Sequence, residues 1–382
     1  MKKLLSIQQQ LQSVATAMIL FRLGSNIAGV FIPFVVLQRG GELWMVAAFY
    51  LVYSAVKAAC NYPFMRINQR KGPHYGMGLG FLAGVLQLVA VLGYAVLGEL
   101  AFLVIGAVSL GISNAFLWTA QHLFVSQVID DRTRSSNIAS IEIFGRLSDV
   151  AGPLIGGFIG AAFGADWVLA AAISAILLTT VPLRRMGRIS LPKGLPAVRY
   201  NLRGAPAQHL LANFFWNTET TIGIMLWPMF LAVYLAGYQS IGWTAAAAAL
   251  VAVIVTWLAG QNGDRGHNRT VLKTGAILTS LVDITRFFVS SPLSIAAVGV
   301  AYRSSLSYLQ NAWTSIYYGN AKKLGPQYIM SMEIICDITY LAVWGSLLAV
   351  LLATNNPEAF FGAAFAVAPV AALGTMLMTD RN

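Results

Sequence analysis

The stretch Gly76–Gly98, GMGLGFLAGVLQLVAVLGYAVLG, runs for 23 residues without a charge. A helix rises 1.5 Å per residue, so a run of this length crosses the roughly 30 Å hydrocarbon core of a bilayer. No water reaches backbone N–H and C=O groups there, and only a helix lets one lone run satisfy its own. Met45–Ala59 is a second such run, with Lys57 as its one charge. Outward from these two, the pattern recurs at 14–37, 43–65, 75–97, 100–125, 137–163, 166–183, 207–236, 240–260, 271–291, 293–319, 328–353 and 357–378. The spacing predicts an all-α integral membrane protein with twelve transmembrane helices. Gly40–Gly41, Gly98–Glu99, Gly164–Asp166 and Asn355–Asn356–Pro357 supply turn chemistry between spans.

Composition agrees. Of 382 residues, 57% are hydrophobic and 10% charged, against about 25% charged in an average soluble domain. The net charge of +11 does not indicate nucleic acid, because no basic face or recognition module is present. It is concentrated in alternate short loops instead. One set of loops holds Arg66, Arg70, Lys71, Arg132, Arg134, Arg184, Arg185, Arg188, Lys193, Arg199, Arg203, Arg265, Arg269, Lys273, Lys322 and Lys323. The other holds Arg39 with Glu42, Glu99, Asp166 and Glu358. This asymmetry places both termini and the loop 184–206 in the cytoplasm of a cell inner membrane. Met1–Lys2–Lys3 is basic, but Gln8, Gln9, Gln10 and Gln12 interrupt any secretory core, so 14–37 reads as a retained span. Cys60 and Cys336 fall inside spans and read as packing residues.

The loop 184–206 divides the chain into a six-span bundle at 1–183, a linker, and a second six-span bundle at 207–382. The halves repeat. Phe31–Ile32–Pro33–Phe34 recurs as Leu226–Trp227–Pro228–Met229, 195 positions on, and Ser140–Ile141–Glu142–Ile143 as Ser331–Met332–Glu333–Ile334, 191 on. Asn68 and Asp264 stand 196 apart in equivalent loops. Parallel six-helix halves place a solute site between them.

Between spans 8 and 9 lies Gly260–Gln261–Asn262–Gly263–Asp264–Arg265–Gly266–His267–Asn268–Arg269. It resembles the cytoplasmic loop signature of the major facilitator superfamily, and the resemblance extends over essentially the whole chain. It implies that Gly260, Asp264, Arg265 and Arg269 latch the cytoplasmic gate. The equivalent first-half loop, Asn68–Gln69–Arg70–Lys71–Gly72, lacks the Asp-Arg pair. Gly152–Pro153–Leu154–Ile155–Gly156–Gly157 looks like the end of that family's antiporter motif, although Ser148 replaces an expected glycine. The same residues also read as plain close helix packing.

Ionisable residues inside spans are costly and tend to be functional or paired. Here they are Arg22, Lys57, Glu142, Arg146, Asp149, Glu219, Asp283, Arg286, Arg303, Glu333 and Asp337, with His122. Glu142, Arg146 and Asp149 share one helical stripe, and Glu333 and Asp337 another. Asp283 and Arg286, three residues apart, read as a local pair. The resemblance implies that spans 1, 4, 7 and 10 line a central cavity and that spans 2 and 11 meet beside it. A Lys57–Asp337 bridge then closes one face, and Arg146, matched to Asp337 in the repeat, belongs to the same gating set. Expected substrate contacts are Arg22, Asn26, Trp216, Asn217, Glu219, Arg303 and Asn311. Expected proton-coupling groups are Glu219, Glu142, Glu333 and Asp337, with a salt bridge from Glu219 to Arg22 or Arg303 as the structural alternative.

The function expected is secondary transport by alternating access. No phosphate-binding loop is present for nucleotide-driven transport, and no cofactor is called for. Proton-coupled export of a small amphipathic organic compound is the first reading, by a monomer whose partners are solute, protons and lipid. Proton-coupled import of an anionic or zwitterionic metabolite is the second. A lipid-handling or receptor-like membrane protein is a third, of another class. An enzyme is not expected, since His74, His122, His209 and His267 are scattered.

Overall fold

In the computed structural model, the described residues are 2–128, 134–186, 196–235, 237–262 and 267–380, with side chains over 13–125, 145–184, 196–235, 237–259, 261 and 267–380. These residues are helical nearly throughout and contain no strand. The order is α1 (Lys2–Gly29), α2 (Ile32–Gln38), α3 (Leu43–Lys71), α4 (Pro73–Leu97), α5 (Leu100–Val128), α6 (Arg134–Phe163), α7 (Ala165–Leu177) and α8 (Thr180–Met186). After the linker come α9 (Ala207–Thr220), α10 (Trp227–Tyr234), α11 (Tyr238–Asn262), α12 (Asn268–Thr285), α13 (Pro292–Leu324), α14 (Pro326–Thr354) and α15 (Pro357–Gly374). Pairs α1–α2, α7–α8 and α9–α10 each make one broken segment, so the sequence reading of twelve spanning helices holds. Among the described residues, eight segments are long and apolar enough to cross a membrane by length and composition. The other four include α6, α12 and α13, the helices that carry Arg146, Asp283 and Arg303.

Helix breaks follow from local chemistry. The four turn segments read from sequence all hold a residue of positive φ, namely Gly40, Gly98, Gly164 and Asn355. The expected continuous spans 14–37 and 207–236 are interrupted. Pro33 follows the break between α1 and α2, and Pro228 follows a π-helical turn over Thr221–Leu226. Proline lacks an N–H and its ring crowds the carbonyl four residues back. The two prolines of the sequence repeat therefore bend matched segments.

Two seams join the first six segments to the last six. At one, α6 packs on α11. Gly157 lies against Gly242 there, and a β-carbon on Gly242 would stand 2.6 Å from the Pro153 carbonyl oxygen. Gly152 and Gly156 of the same motif face Asn26, Ile27 and Phe31 of the first segment. The glycines of the span-5 motif thus permit close helix approach. At the second seam α3 meets α14, and Tyr50 stacks on Trp344 at 4.7 Å between centroids. Tyr238 packs on Phe31 and Phe34 and its hydroxyl donates to Gln38 Oε1 at 2.8 Å. These contacts seal the side remote from the linker.

On the opposite rim, the end of the linker is tied to both seam helices. Gln69 of α3 donates to the Pro196 carbonyl at 3.0 Å and accepts from the Val198 N–H at 3.3 Å. Gln327 of α14 accepts from the Arg199 N–H at 2.8 Å and donates back to the Arg199 carbonyl at 2.9 Å. Ser331 accepts from the Gly204 N–H at 3.1 Å, and Tyr200 packs edge-on against Tyr62. One glutamine from each seam helix thus holds the same extended strap. Each such bond contributes roughly 0.5–1.5 kcal/mol net. Gln327→Ala is expected to free the strap and raise the rate of tryptic cleavage at exposed Arg199 and Arg203 several-fold, read by peptide mapping of a limited digest.

Candidate functional site

Between the seams lies a cavity of about 220 Å³. It is displaced toward the linker end: its walls include Trp118 and His122 late in α5, Gln310–Tyr318 in the later half of α13, and Met332–Tyr340 in the early half of α14. Trp216, Asn217 and Thr220 of α9 and Arg22 of α1 complete it. Trp216 and Trp313 stack at 5.1 Å, forming one broad aromatic wall.

Lys57 sits at the wall where α3 meets α14. Its Nζ is 3.0 Å from Glu333 Oε2, 2.8 Å from Asp337 Oδ1, 3.7 Å from Cys336 Sγ and 5.5 Å from the Tyr340 ring centroid. Asn61, one turn along α3, donates to both Asp337 oxygens at 2.7 Å. The i, i+4 spacing of 57 with 61 and of 333 with 337 puts each pair on one helix face. Glu333 Oε1 is 3.3 Å from His122 Nε2, and His122 Nδ1 is 2.9 Å from the Tyr318 hydroxyl. Exposure is 2% for Lys57, 6% for Glu333 and 3% for Asp337, so bulk water screens this network little. Glu333, Cys336 and Asp337 offer three ligand atoms within 4.8 Å of one another, a set a metal could use, but the Lys57 ammonium stands among them.

A second charged group is buried behind the cavity, among the last six segments. The Tyr302 hydroxyl donates to Glu219 Oε1 at 2.8 Å. Arg286 Nη1 lies 3.0 Å from Asp283 Oδ1, and its guanidinium stacks 3.9 Å from the Tyr302 centroid and 5.0 Å from that of Trp227. Glu219 and Asp283 have no exposed surface, and Tyr302 and Arg286 almost none. Glu219 Oε2 has no hydrogen-bond partner. A β-carbon at Gly223 would collide with the Tyr302 hydroxyl, so the bare glycine makes the room this hydrogen bond needs.

Of the residues expected to touch substrate, Arg22, Trp216 and Asn217 line the cavity. Four do not. Asn26 donates to Asp149 Oδ1 at 2.7 Å. Glu219 points away from the cavity that its neighbours Trp216, Asn217 and Thr220 line, because its side chain enters the bundle toward α13. Its partner is Tyr302, where the sequence reading expected a salt bridge to Arg22 or Arg303. Arg303 is absent from the cavity wall, and Asn311 is 2% exposed with both amide atoms unpaired. Lys57 and Asp337 form the bridge read from sequence, and Glu333 shares it. Arg146 donates to Gln310 Oε1 at 2.8 Å, so it ties α6 to α13 and stands apart from the Lys57 network. Arg269 lies exposed in the first turn of α12. The side chains of Glu142, Gly260, Asp264 and Arg265 lie outside the described residues. Sequence reasoning missed Asn61, Gln121, Tyr317 and Tyr340; for Asn61 the signal was its place four residues after Lys57.

Residues 14–197 match the family model of the Major Facilitator Superfamily. No curated protein matches the sequence. Among solved structures, the chain is similar to the human organic anion transporter MFSD10 (TETRAN) at 12% identity and a TM-score of 0.72, covering 96% of this chain and 99% of that one. It is also similar to the transporter FucP in its outward conformation, at 14% identity and a TM-score of 0.64, covering 94% and 97%. The Escherichia coli fucose:proton symporter FucP matches at 14% identity and a TM-score of 0.63 over the same shares. At these identities the likeness is one of fold.

Removing one partner of a buried ion pair leaves a charge uncompensated, at a cost of roughly 3–5 kcal/mol. Lys57→Met is therefore expected to lower the melting temperature sharply in detergent. Lys57→Met with Asp337→Asn is expected to recover much of the loss, and the double-mutant cycle measures the coupling.

Proposed function

We propose that this chain, a member of the major facilitator superfamily, is a secondary transporter that carries a small amphipathic organic solute by alternating access in exchange for protons. The observation that carries the reading is the cavity itself: an aromatic and polar pocket whose wall is a buried ion network joining the two halves of the chain. A site in which a few charged and amide groups converge among aromatic rings suits an amphipathic ligand. With 1–183 and 207–382 as the two rocking bundles, the remote side is closed by Tyr50–Trp344 and Tyr238–Gln38. The cavity faces the linker, which the basic loops assign to the cytoplasm. The conformation is then one that loads from the cytoplasm, in the inner membrane, by a monomer.

Glu219 is the assigned proton carrier. It is fully buried, one of its oxygens has no partner, and it lies one residue from cavity-lining Thr220. Glu333 and Asp337, paired with Lys57, act in the gate. Rocking opens the seam only when that pair separates, so proton binding and gate opening are coupled through α9 and its π-helical turn. Export as the direction rests on the span-5 glycine motif. Import of an anionic or zwitterionic metabolite draws on Arg22 in the cavity wall and on neighbours named as an organic anion transporter and a proton symporter.

Proteoliposomes with an imposed pH gradient test the reading. Solute flux against its own gradient, with counterflow of protons, is expected from the native protein. Glu219→Gln is expected to keep solute exchange at equal pH while losing at least about tenfold of the gradient-driven flux. Co-directional proton movement would replace antiport with symport, and equal gradient-driven flux in Glu219→Gln would remove Glu219 from coupling.

A further inference from the structure

We infer that the Lys57 side chain occupies, in this conformation, the binding site for the ammonium group of a cationic amine solute, and that solute and lysine exchange there. The inference rests on the cavity being the solute pathway, and it adds the chemical class.

The surroundings of Nζ are those that recognise any ammonium group. Two carboxylates approach at 3.0 and 2.8 Å, and an aromatic ring faces it at 5.5 Å. Lys57, Glu333, Cys336 and Tyr340 all line the cavity, so a dissolved amine reaches Glu333 and the Tyr340 ring without crossing protein, and reaches Asp337, which stands behind Lys57, once the lysine moves aside.

Orphaned polar atoms give an independent indication. Gln121 Oε1 and the Tyr317 hydroxyl are buried without a hydrogen-bond partner, and both residues line the cavity. Tyr317 is only 7% exposed. Buried polar atoms are paired in nearly all native structures, so each such orphan calls for an explanation. The Gln121 oxygen accepts only, as does the Glu333 carboxylate. A ligand bearing several N–H donors complements both acceptors, while the donors Arg22, Asn213 and Asn217 stand across the cavity on α1 and α9. Arg22 lies on the α1 wall and His122 holds the second oxygen of Glu333. The ammonium end is therefore fixed at α14, with the apolar body against Trp118, Trp216 and Trp313.

Exchange has a mechanical result. The Lys57 contact to Glu333 and Asp337 is part of what holds α3 to α14. A solute ammonium that takes those carboxylates releases Lys57, and the seam loosens because the solute has bound. A ligand shifts such an equilibrium only by its differential affinity for the two states, and competition for one pair of carboxylates supplies it.

Benzylamine and benzoate, alike in shape and opposite in charge, are the probes. In a Cys60→Ser background, benzylamine is expected to slow alkylation of cavity-lining Cys336 by N-ethylmaleimide at least threefold, and benzoate to leave it unchanged. Lys57→Ala vacates the cage. Benzylamine is expected to bind this variant about tenfold more tightly than the native protein, by calorimetry, because the tethered competitor is gone, and to raise its melting temperature. Adding Glu333→Gln is expected to cancel the gain. If Lys57→Ala does not purify as a folded protein, the Cys336 measurement decides alone. Absence of protection by benzylamine, or equal protection by benzoate, overturns the inference. Anion flux without amine binding sinks this inference and leaves the transporter reading intact; amine binding without flux of any solute does the reverse.

Discussion

One ammonium group, Lys57 Nζ, holds the arrangement on which the rest depends. It is almost wholly withdrawn from solvent, and its two carboxylate partners come from the other half of the chain. Coulomb attraction over about 3 Å at low dielectric is large, and so is the cost of stripping three charged groups of water. Such a network is tolerated only when every member is paired. Asn61 and His122 meet that demand by donating to the remaining carboxylate oxygens. Separating one partner while the others stay buried leaves a charge uncompensated, which is strongly unfavourable.

The second charged group differs in kind. Glu219, Tyr302, Asp283 and Arg286 lie within the last six segments and pair with one another there. Its members are held by aromatic faces and by a π-helical turn placed before Pro228, a feature that often marks functional sites. Cavity and buried acid are thus neighbours separated by one helix wall. Trp216 and Asn217 face the cavity while Glu219, on the same helix, faces the interior. A small rotation of α9 acts on both.

Much of this was legible from the residues. Long uncharged runs such as Gly76–Gly98 set the twelve segments, since a bilayer permits few alternatives to a helix. The internal repeat located Pro33 and Pro228, and both mark helix breaks. Counting from helix ends brought Lys57 and Asp337 to one depth. Direction around a helix was harder. Glu219 and Trp216 are three residues apart, yet only Trp216 lines the cavity: Asn217 and Thr220 put the cavity face to one side of Trp216, and Glu219, about 60° to the other side, falls off it. Arg303 was placed by depth alone, and depth does not say which wall a side chain joins. Gln121 and Tyr317 carry no charge, so nothing in a single sequence separated them from the many polar residues of helix interiors.

The strap across the linker-side rim bears on how the chain is assembled. Its backbone is read by two glutamines, one at the end of α3 and one at the start of α14. Neither alone presents the whole docking surface, and the second is synthesised more than 250 residues after the first. The linker can therefore seat only after the ribosome has released most of the last six segments and these have met the first six. Seating is a late event in biogenesis, and a docked strap records that the two parts of the chain have found each other in the correct register.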